Sequence, residues 1–468
     1  MYQIDFERPG HIYFAGIGGI SMSGLAEILE SRGFAVAGSD RASSAVTEEL
    51  SSHGIRVYIG QKRENLEEEI SLFGPIDAVV FTAAIGHDNP EYIYVQEKGI
   101  PSLTRAQLLG QIMRRYGTPV GIAGTHGKTT TTSMISEILL KADLDPTLSI
   151  GGILKAIGSR QVRVGGPDYF VAEACEYTDS FLDIYSKISL ILNVEYDHPD
   201  YFPDLKAYRA SFRRYAENVP EDGTLVISTD IPDYTFFTEG LSCRVITFGS
   251  GKDADYRARN ISFDDDGYPC YDLASPAGED HVVLHVPGIH NVNNSLAALA
   301  AADLMGVPRS ASLKALSEFE GTDRRFEYIC TWKGIPVYDD YAHHPTEIHA
   351  TLTSARKFPC ERLFVVFQSH TFTRTQELMD DFVKELSLAD KLVIAPIYPA
   401  REAPIPGVTC HAMAERLRAL GCDCISFDTF AEIEDYLLKN CRKGDLLITM
   451  GAGDVNKIAA FLKDQAKE

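Results

Sequence analysis

At roughly 100–200 residues per domain, the 468 residues suggest about three domains. Charged residues make up 24% and hydrophobic residues 45%, which excludes a disordered or fibrous chain. Lys and Arg total 44 against 66 Asp and Glu, a net charge of −22. That balance argues against a nucleic-acid partner, so any anionic ligand must sit in a local pocket. No apolar run reaches about 18 residues, so no membrane span is expected. The opening MYQIDFERPG has acids where a secretory signal would be apolar, so it does not read as one, and the odd cysteine count fits the reducing cytoplasm. The nine cysteines are scattered, and Cys422 and Cys424 form a C-x-C with no second pair. Neither a zinc spacing nor a disulfide framework is expected.

HIYFAG (11–16) reads as a short strand, and GIGGIS (16–21) as a glycine turn opening a helix through SMSGLAEILESRG. VAGSD (36–40) and IDAVVFTAA (76–84) are further strands, and IPSLTRAQLLGQIM begins a helix leading out of this unit near Leu103. TPVGIAG then repeats strand and glycine loop, followed by the helix TTTSMISEILLKA. YFVAEA (169–174), ISLILNV (188–194) and GTLVIST (223–229) are strands of this second unit. The segment 262–286 alternates between turn signals as an antiparallel meander, and SLAALAAADLMG (295–306) is a small-residue helix. A third unit begins around GTDRRFEYI, with strands IPVYDDYA (335–342), RLFVVFQS (362–369), KLVIAPIY (391–398) and DLLITMGAG (445–453). Amphipathic helices such as TRTQELMDDFVKELSLA separate them. Alternating strands and helices predict an α/β protein of three domains, over 1–104, 105–320 and 321–468. The outer two are expected to be Rossmann-like. The central one is expected to be P-loop ATPase-like with a mixed or parallel sheet, with sites at the C-terminal ends of strands.

GTHGKTT (124–130) carries the strongest chemical signal. Its core, G-x-x-G-K-T, follows a strand and opens a helix, so backbone N–H groups converge on phosphate oxygens. Lys128 would reach the β- and γ-phosphates, and the Thr129 hydroxyl would ligate Mg²⁺. GIGGIS resembles a dinucleotide fingerprint with Ser21 at the third glycine, and Asp40 follows Gly16 by 24 residues. NAD, another nucleotide diphosphate and a purely structural turn are all open readings of it. Glu173 and His198 end strands beside the phosphate loop, where they could bind a metal or serve as caps and core hydrogen-bond partners. HNVNN (290–294) suits a purine edge or, equally, a turn and N-cap. DDYAHHPTE (339–347) concentrates acids, imidazoles and a tyrosine after a strand, which favours a site. HTFTRT (370–375) places His370 and Arg374 at another strand end, where the guanidinium could grip a carboxylate or phosphate bidentately.

In chain order, GIGGISMSG, GSD, GTHGKTTTT, EACE, NVEYDH, GIHNVNN, GTDRRFE, DDYAHHPTE, FQSHTFTRT, EAPIPG and GAGDVNK resemble the motifs of the Mur ligases. These are ATP-dependent amide-forming enzymes of peptidoglycan precursor synthesis, and the resemblance spans essentially the whole chain. It implies a UDP-sugar held by Gly18, Gly19, Ser21, Asp40, Arg105 and His126. It implies ATP held by Gly124, Thr125, His126, Gly127, Lys128, Thr129 and Thr130. His290 and Asn294 would meet the adenine, Arg325 the phosphates and Asp340 the ribose. One or two Mg²⁺ ions, with Mn²⁺ as a substitute, would bind Thr129, Glu173 and His198. Tyr341, His343, His370 and Arg374 would form the amino-acid pocket, and Lys128, Glu173, His198 and Arg374 the catalytic set. The implied substrates are UDP-N-acetylmuramate, L-alanine and ATP, joined through an acyl phosphate. The alternative is the sister ligase that attaches a recycled murein tripeptide to the same UDP-sugar. A monomer and a homodimer are both compatible with the resemblance. Gln61, Cys175 and Thr371 depart from the family's usual His, Asp and Arg. Phe212 stands where some relatives carry a carbamylated lysine, a lysine that the alanine-adding branch also lacks.

Overall fold

The computed structural model describes residues 2–264 and 267–467. Asp265 and Asp266, inside the predicted meander, lie outside the described residues. The N-terminal sheet comprises β1 (His11–Ala15), β2 (Ala35–Asp40), β3 (Arg56–Ile59), β4 (Ala78–Phe81) and β5 (Ser102–Thr104), all parallel in the order β3-β2-β1-β4-β5. Strand order reverses between β1 and β4, which opens a crevice at the C-terminal end of β1. The GIGGIS turn lies there, and Gly16 adopts φ 85°, a left-handed conformation that a side chain would strain.

The central sheet contains β6 (Thr118–Ala123), β7 (Thr147–Leu154), β8 (Arg160–Arg163), β9 (Tyr169–Glu173), β10 (Ile188–Ile191), β11 (Thr224–Ser228) and β12 (Arg244–Phe248). Its order is β12-β11-β10-β6-β9-β7-β8, parallel except for the β7–β8 hairpin. The expected meander is a separate antiparallel sheet of β13 (Arg257–Phe263), β14 (Pro269–Ser275) and β15 (Gly278–Val283). The C-terminal sheet has β16 (Glu327–Trp332), β17 (Ile335–Asp340), β18 (Arg362–Phe367), β19 (Lys391–Ile394), β20 (Cys424–Ser426) and β21 (Asp445–Met450). Its order is β16-β17-β21-β18-β19-β20, with only β16 and β17 antiparallel.

Interior strands such as β6, β10, β18 and β21 are apolar runs, which their burial on both faces requires. Strands not anticipated from the sequence include β3, β5, β8, β12, β16 and β20, the edges of the three large sheets. Edge strands are short or carry polar residues, so their periodicity is weak. The single helix expected in TRTQELMDDFVKELSLA is instead two, Phe372–Glu377 and Met379–Leu386. The Glu402 carboxylate takes the N–H groups of Phe372 and Thr373 at 2.6 and 2.9 Å, which ties the first piece to the loop after β19.

Candidate active site

The phosphate loop follows β6, the strand at the middle of the central sheet. Gly127 adopts φ 82°, and a Cβ there would stand 2.5 Å from Asn294 Oδ1. Glycine therefore lets the loop turn directly against the helix Ile289–Leu304. Lys128 opens the helix Lys128–Lys141 and folds back over the loop, its Nζ donating to Thr125 O at 3.1 Å. The same Nζ lies 2.9 Å from Glu176 Oε2. Burial disfavours charge on both partners, yet each holds the other ionised. The Lys128 ammonium is raised by Glu176, and Glu176 is lowered by Lys128 and His198. Tyr208 Oη donates to Glu176 at 3.3 Å and pairs with Thr125 Oγ1 at 3.0 Å.

Two cavities meet at this loop. The smaller, about 290 Å³, is lined by His126, Thr130, His290, Asn294 and Asp340, with Arg325 at its edge. Asp340 accepts N–H bonds from Phe326 and Ala342 at 2.8 and 2.7 Å. Burial pushes its carboxyl up to about 7, against the opposing pull of Arg325. Desolvation at the cavity wall lowers His290 to about 4, and the neighbouring Arg325 and His126 charges act the same way.

The larger cavity, about 780 Å³, is lined by Lys128, Thr129, Glu173, His198, Tyr341 and His343. Gly127, Arg325 and Glu347 line both cavities. Arg325 Nη2 approaches Thr129 Oγ1 at 3.5 Å, so a cation from the C-terminal unit stands over the start of the phosphate-loop helix. Glu173 Oε1 accepts from Gly151 N at 2.6 Å. His198 has φ 56°, which costs a non-glycine residue of order 1–3 kcal/mol and aims its imidazole beside Tyr177 at 4.7 Å. A hydroxyl, a carboxylate and an imidazole around one cavity suit a divalent cation. Thr129 and Glu173 supply the hard oxygens that Mg²⁺ prefers, and His198 supplies a softer donor.

The expected amino-acid residues divide. Tyr341 and His343 face the larger cavity, and Tyr341 carries Arg324 and Arg325 at 4.9 and 5.1 Å from its ring centroid. His370 stacks on Tyr398 at 5.4 Å. Burial lowers His343 to about 3 and His370 to about 4, leaving both neutral. Arg374 does grip a carboxylate, but a protein one: its Nε and Nη2 donate to Asp197 Oδ1 at 3.0 and 2.9 Å. Asp197 is buried, and Arg374 holds it well below the usual carboxylate range. Gly18, Gly19, Ser21, Asp40 and Arg105 do not line these cavities, although Ile20 of the same turn does. Asp40 Oδ2 accepts from Gly18 N at 2.9 Å, so the acid expected at the uridine holds the turn's own amide here. Burial pushes the Cys175 thiol up, so it does not stand in for the missing aspartate's charge.

Sequence reasoning missed Glu176, Asn193, Glu195, Asp197 and Glu347 as site residues. One signal was available. HPTE (344–347) has Pro at the first helical position and Glu at the third, and Glu347 does close a capping box with His344.

Residues 11–117, 122–302 and 324–453 match the profiles of the Mur ligase family catalytic domain, middle domain and glutamate ligase domain. The chain belongs to the Mur ligase family. It is 53% identical over 464 residues to the UDP-N-acetylmuramate–L-alanine ligase of Lachnospira eligens, covering 99% of this chain and 100% of that one. It is 48% identical over 465 residues to the ligase of the same name from Agathobacter rectalis, covering 99% of each chain. The solved UDP-N-acetylmuramate-alanine ligase of Thermotoga maritima superposes with TM-score 0.79 at 26% identity, over 98% of this chain and 99% of that one. A murein peptide ligase from Psychrobacter arcticus shares the fold, with TM-score 0.71 at 24% identity over 97% and 98%. The α/β architecture expected from the sequence is that of the Mur ligases.

Proposed function

We propose that this Mur ligase joins L-alanine to the carboxylate of UDP-N-acetylmuramate, using ATP and releasing ADP and phosphate, in peptidoglycan precursor synthesis. The observation that carries this reading is end-to-end identity of 53% and 48% with two ligases of that name. The recycling ligase that takes a murein tripeptide is the weaker alternative, since its likeness at 24% identity speaks only for the fold.

ATP enters with its adenine against His290 and Asn294, its ribose toward Asp340, and its phosphates along Gly124–Thr130. Lys128 and Arg325 converge on the γ-phosphate from the central and C-terminal units and neutralise the charge that builds during transfer. Thr129, Glu173 and His198 would hold Mg²⁺, or Mn²⁺ in its place, which screens the phosphate oxygens when bound. The UDP-sugar lies over Gly18, Gly19 and Ser21, with Asp40, Arg105 and His126 beside it, and extends its carboxylate toward the phosphate loop. That carboxylate attacks the γ-phosphorus to give an acyl phosphate and ADP. The alanine amine then displaces phosphate and forms the amide. Tyr341, His343 and His370 line the amino-acid pocket. Arg374 holds Asp197 with Nε and Nη2 and lies 3.5 Å from His370 Nδ1 with Nη1, so it orders this pocket chiefly through those two residues. Closing the C-terminal unit excludes water, which would hydrolyse the acyl phosphate. Among the described residues no helix is long and apolar enough to cross a membrane, and all nine cysteines are free thiols. We place the enzyme in the cytoplasm.

The test is phosphate release from ATP and Mg²⁺ with UDP-N-acetylmuramate, adding L-alanine or murein tripeptide in parallel. Release that needs both the UDP-sugar and alanine, with the amide product seen by mass spectrometry, is expected. Release with tripeptide alone would favour the recycling ligase. Lys128→Ala should lower turnover by at least about 100-fold while UDP-sugar binding persists.

A further inference from the structure

The stretch after β10, NVEYDH (193–198), sends alternate side chains toward the other parts of the site, as an extended segment does. Asn193 Oδ1 accepts from His126 N at 2.8 Å, and its Nδ2 donates to His126 O at 3.0 Å. Asp197 takes Arg374. Glu195, between them, takes the hydroxyl of Thr346 on Oε2 at 2.6 Å, joining residues 151 apart in the chain. The same oxygen lies 3.4 Å from His126 Nε2, while Glu347 Oε1 lies 3.3 Å from His126 Nδ1. The His344 ring packs 4.8 Å from the His126 ring.

His126 is thus the phosphate-loop residue held between a carboxylate of its own unit and one of the C-terminal unit. Burial works against its charge, but Glu195 and Glu347 together raise it to about 9. If the C-terminal unit moves away, Thr346, Glu347 and His344 leave together and His126 keeps Glu195 alone. The charge environment of the loop thereby depends on docking.

We infer that Glu195 is a positioning residue for phosphoryl transfer: it receives Thr346 when the C-terminal unit docks and, through His126, sets the phosphate loop in its working geometry. Glu195 and Thr346 both line the smaller cavity, so KM for ATP is read beside kcat to separate positioning from nucleotide binding. The inference rests on the ligase reading and adds to it a coupling between domain docking and the loop.

The experiment compares full-length wild type with Thr346→Val, Thr346→Ser, Glu195→Gln, Glu195→Ala and Thr346→Val/Glu195→Ala. Phosphate release is measured across ATP concentrations at saturating UDP-N-acetylmuramate and L-alanine. Thr346→Val and Glu195→Ala should each lower kcat about tenfold, with KM for ATP moving less than about threefold. The double variant should be no slower than Glu195→Ala, because the two residues act as one contact. Glu195→Gln, which keeps an oxygen for Thr346 but loses the charge facing His126, should fall between. Thr346→Ser should restore wild-type kcat. Multiplied losses in the double variant, or a lowered Tm with unchanged kcat, would overturn the inference. If the Glu195 variants fail to fold, equal kcat for Thr346→Val and Thr346→Ser overturns it alone. An inactive wild type would sink the ligase reading only, because small-angle scattering with a non-hydrolysable ATP analogue still reports docking. There, wild type should compact more than Thr346→Val, and equal compaction would end the idea.

Discussion

The central unit meets its two neighbours by opposite kinds of contact. With the N-terminal unit it shares one apolar core, running from Phe14 and Leu25 through Leu109 to Val162, Phe170 and Phe181. Glycines let the backbones close up: a Cβ on Gly24 would stand 2.2 Å from Val162, and one on Gly110 would stand 1.9 Å from the Asp183 carbonyl oxygen. With the C-terminal unit there is no such continuity among the described residues. The two cores flanking the C-terminal sheet draw their buried members from Trp332 onward. Around the cavities the contacts across that boundary are polar: Thr346 to Glu195, Arg374 to Asp197, Arg325 to Thr129, and Thr322 to Ser133 at 2.9 Å; aromatic contact is confined to the rim, where Phe358 meets Tyr268 edge-on at 6.4 Å and Lys357 sits over Phe263. Apolar burial is lost only by exposing area to water, whereas a hydrogen bond exchanges for one to water at small net cost. One boundary is therefore built to hold and the other to open around its cavities.

The largest expected effect comes from stripping the polar boundary of its buried pair. Arg374→Ala leaves Asp197, 5% exposed at its side chain, without a cation, a loss of about 3–5 kcal/mol for the docked form. Activity should fall at least about 100-fold, and Arg374→Lys should not restore it, because a point charge replaces a planar fork. Near-normal turnover in steady-state assays would mean that the pair does not hold the boundary.

Gly110→Ala attacks the apolar boundary instead. Overpacking against backbone should cost about 1–3 kcal/mol, more than the roughly 1 kcal/mol that alanine gains in a helix. The urea midpoint should drop while KM for ATP stays fixed. A shifted KM would show that the apolar boundary also bends toward the ATP site. Val162→Ala removes two methyl groups facing Gly24, about 1–2 kcal/mol, and should again lower the midpoint without changing KM for ATP.

The smallest effect is that of pH. His126 is raised from 6.5 to about 9 when docked between Glu195 and Glu347, with His344 beside it. The part due to Glu347, which only docking supplies, is therefore lost as pH rises through about 9. Scattering profiles recorded from pH 7 to 10 should show the docked form loosening at the alkaline end. Docking that ignores pH over that range would mean that the triad is uncharged.

Much of this was legible in the chain because the signals are local. GTHGKTT needs only its own glycines, lysine and threonine between a strand and a helix, and the loop stands where that pattern places it. Interior strands announce themselves by apolar runs, but edge strands such as β3 and β20 do not, since one side of each faces water. Glu173 and His198 could be suspected from strand ends alone. Glu176 could not be told from a surface acid until Lys128 lay 2.9 Å away.

Local chemistry thus determined the strand and helix alternation, the phosphate loop and the family motifs, because each depends on neighbours a few residues apart. Tertiary structure alone decided which carboxylate each cation meets. Arg374 and Asp197 are 177 residues apart, and Glu195 and Thr346 are 151 apart. An ion pair depends on distance and burial, and over such separations both are set by how the units pack.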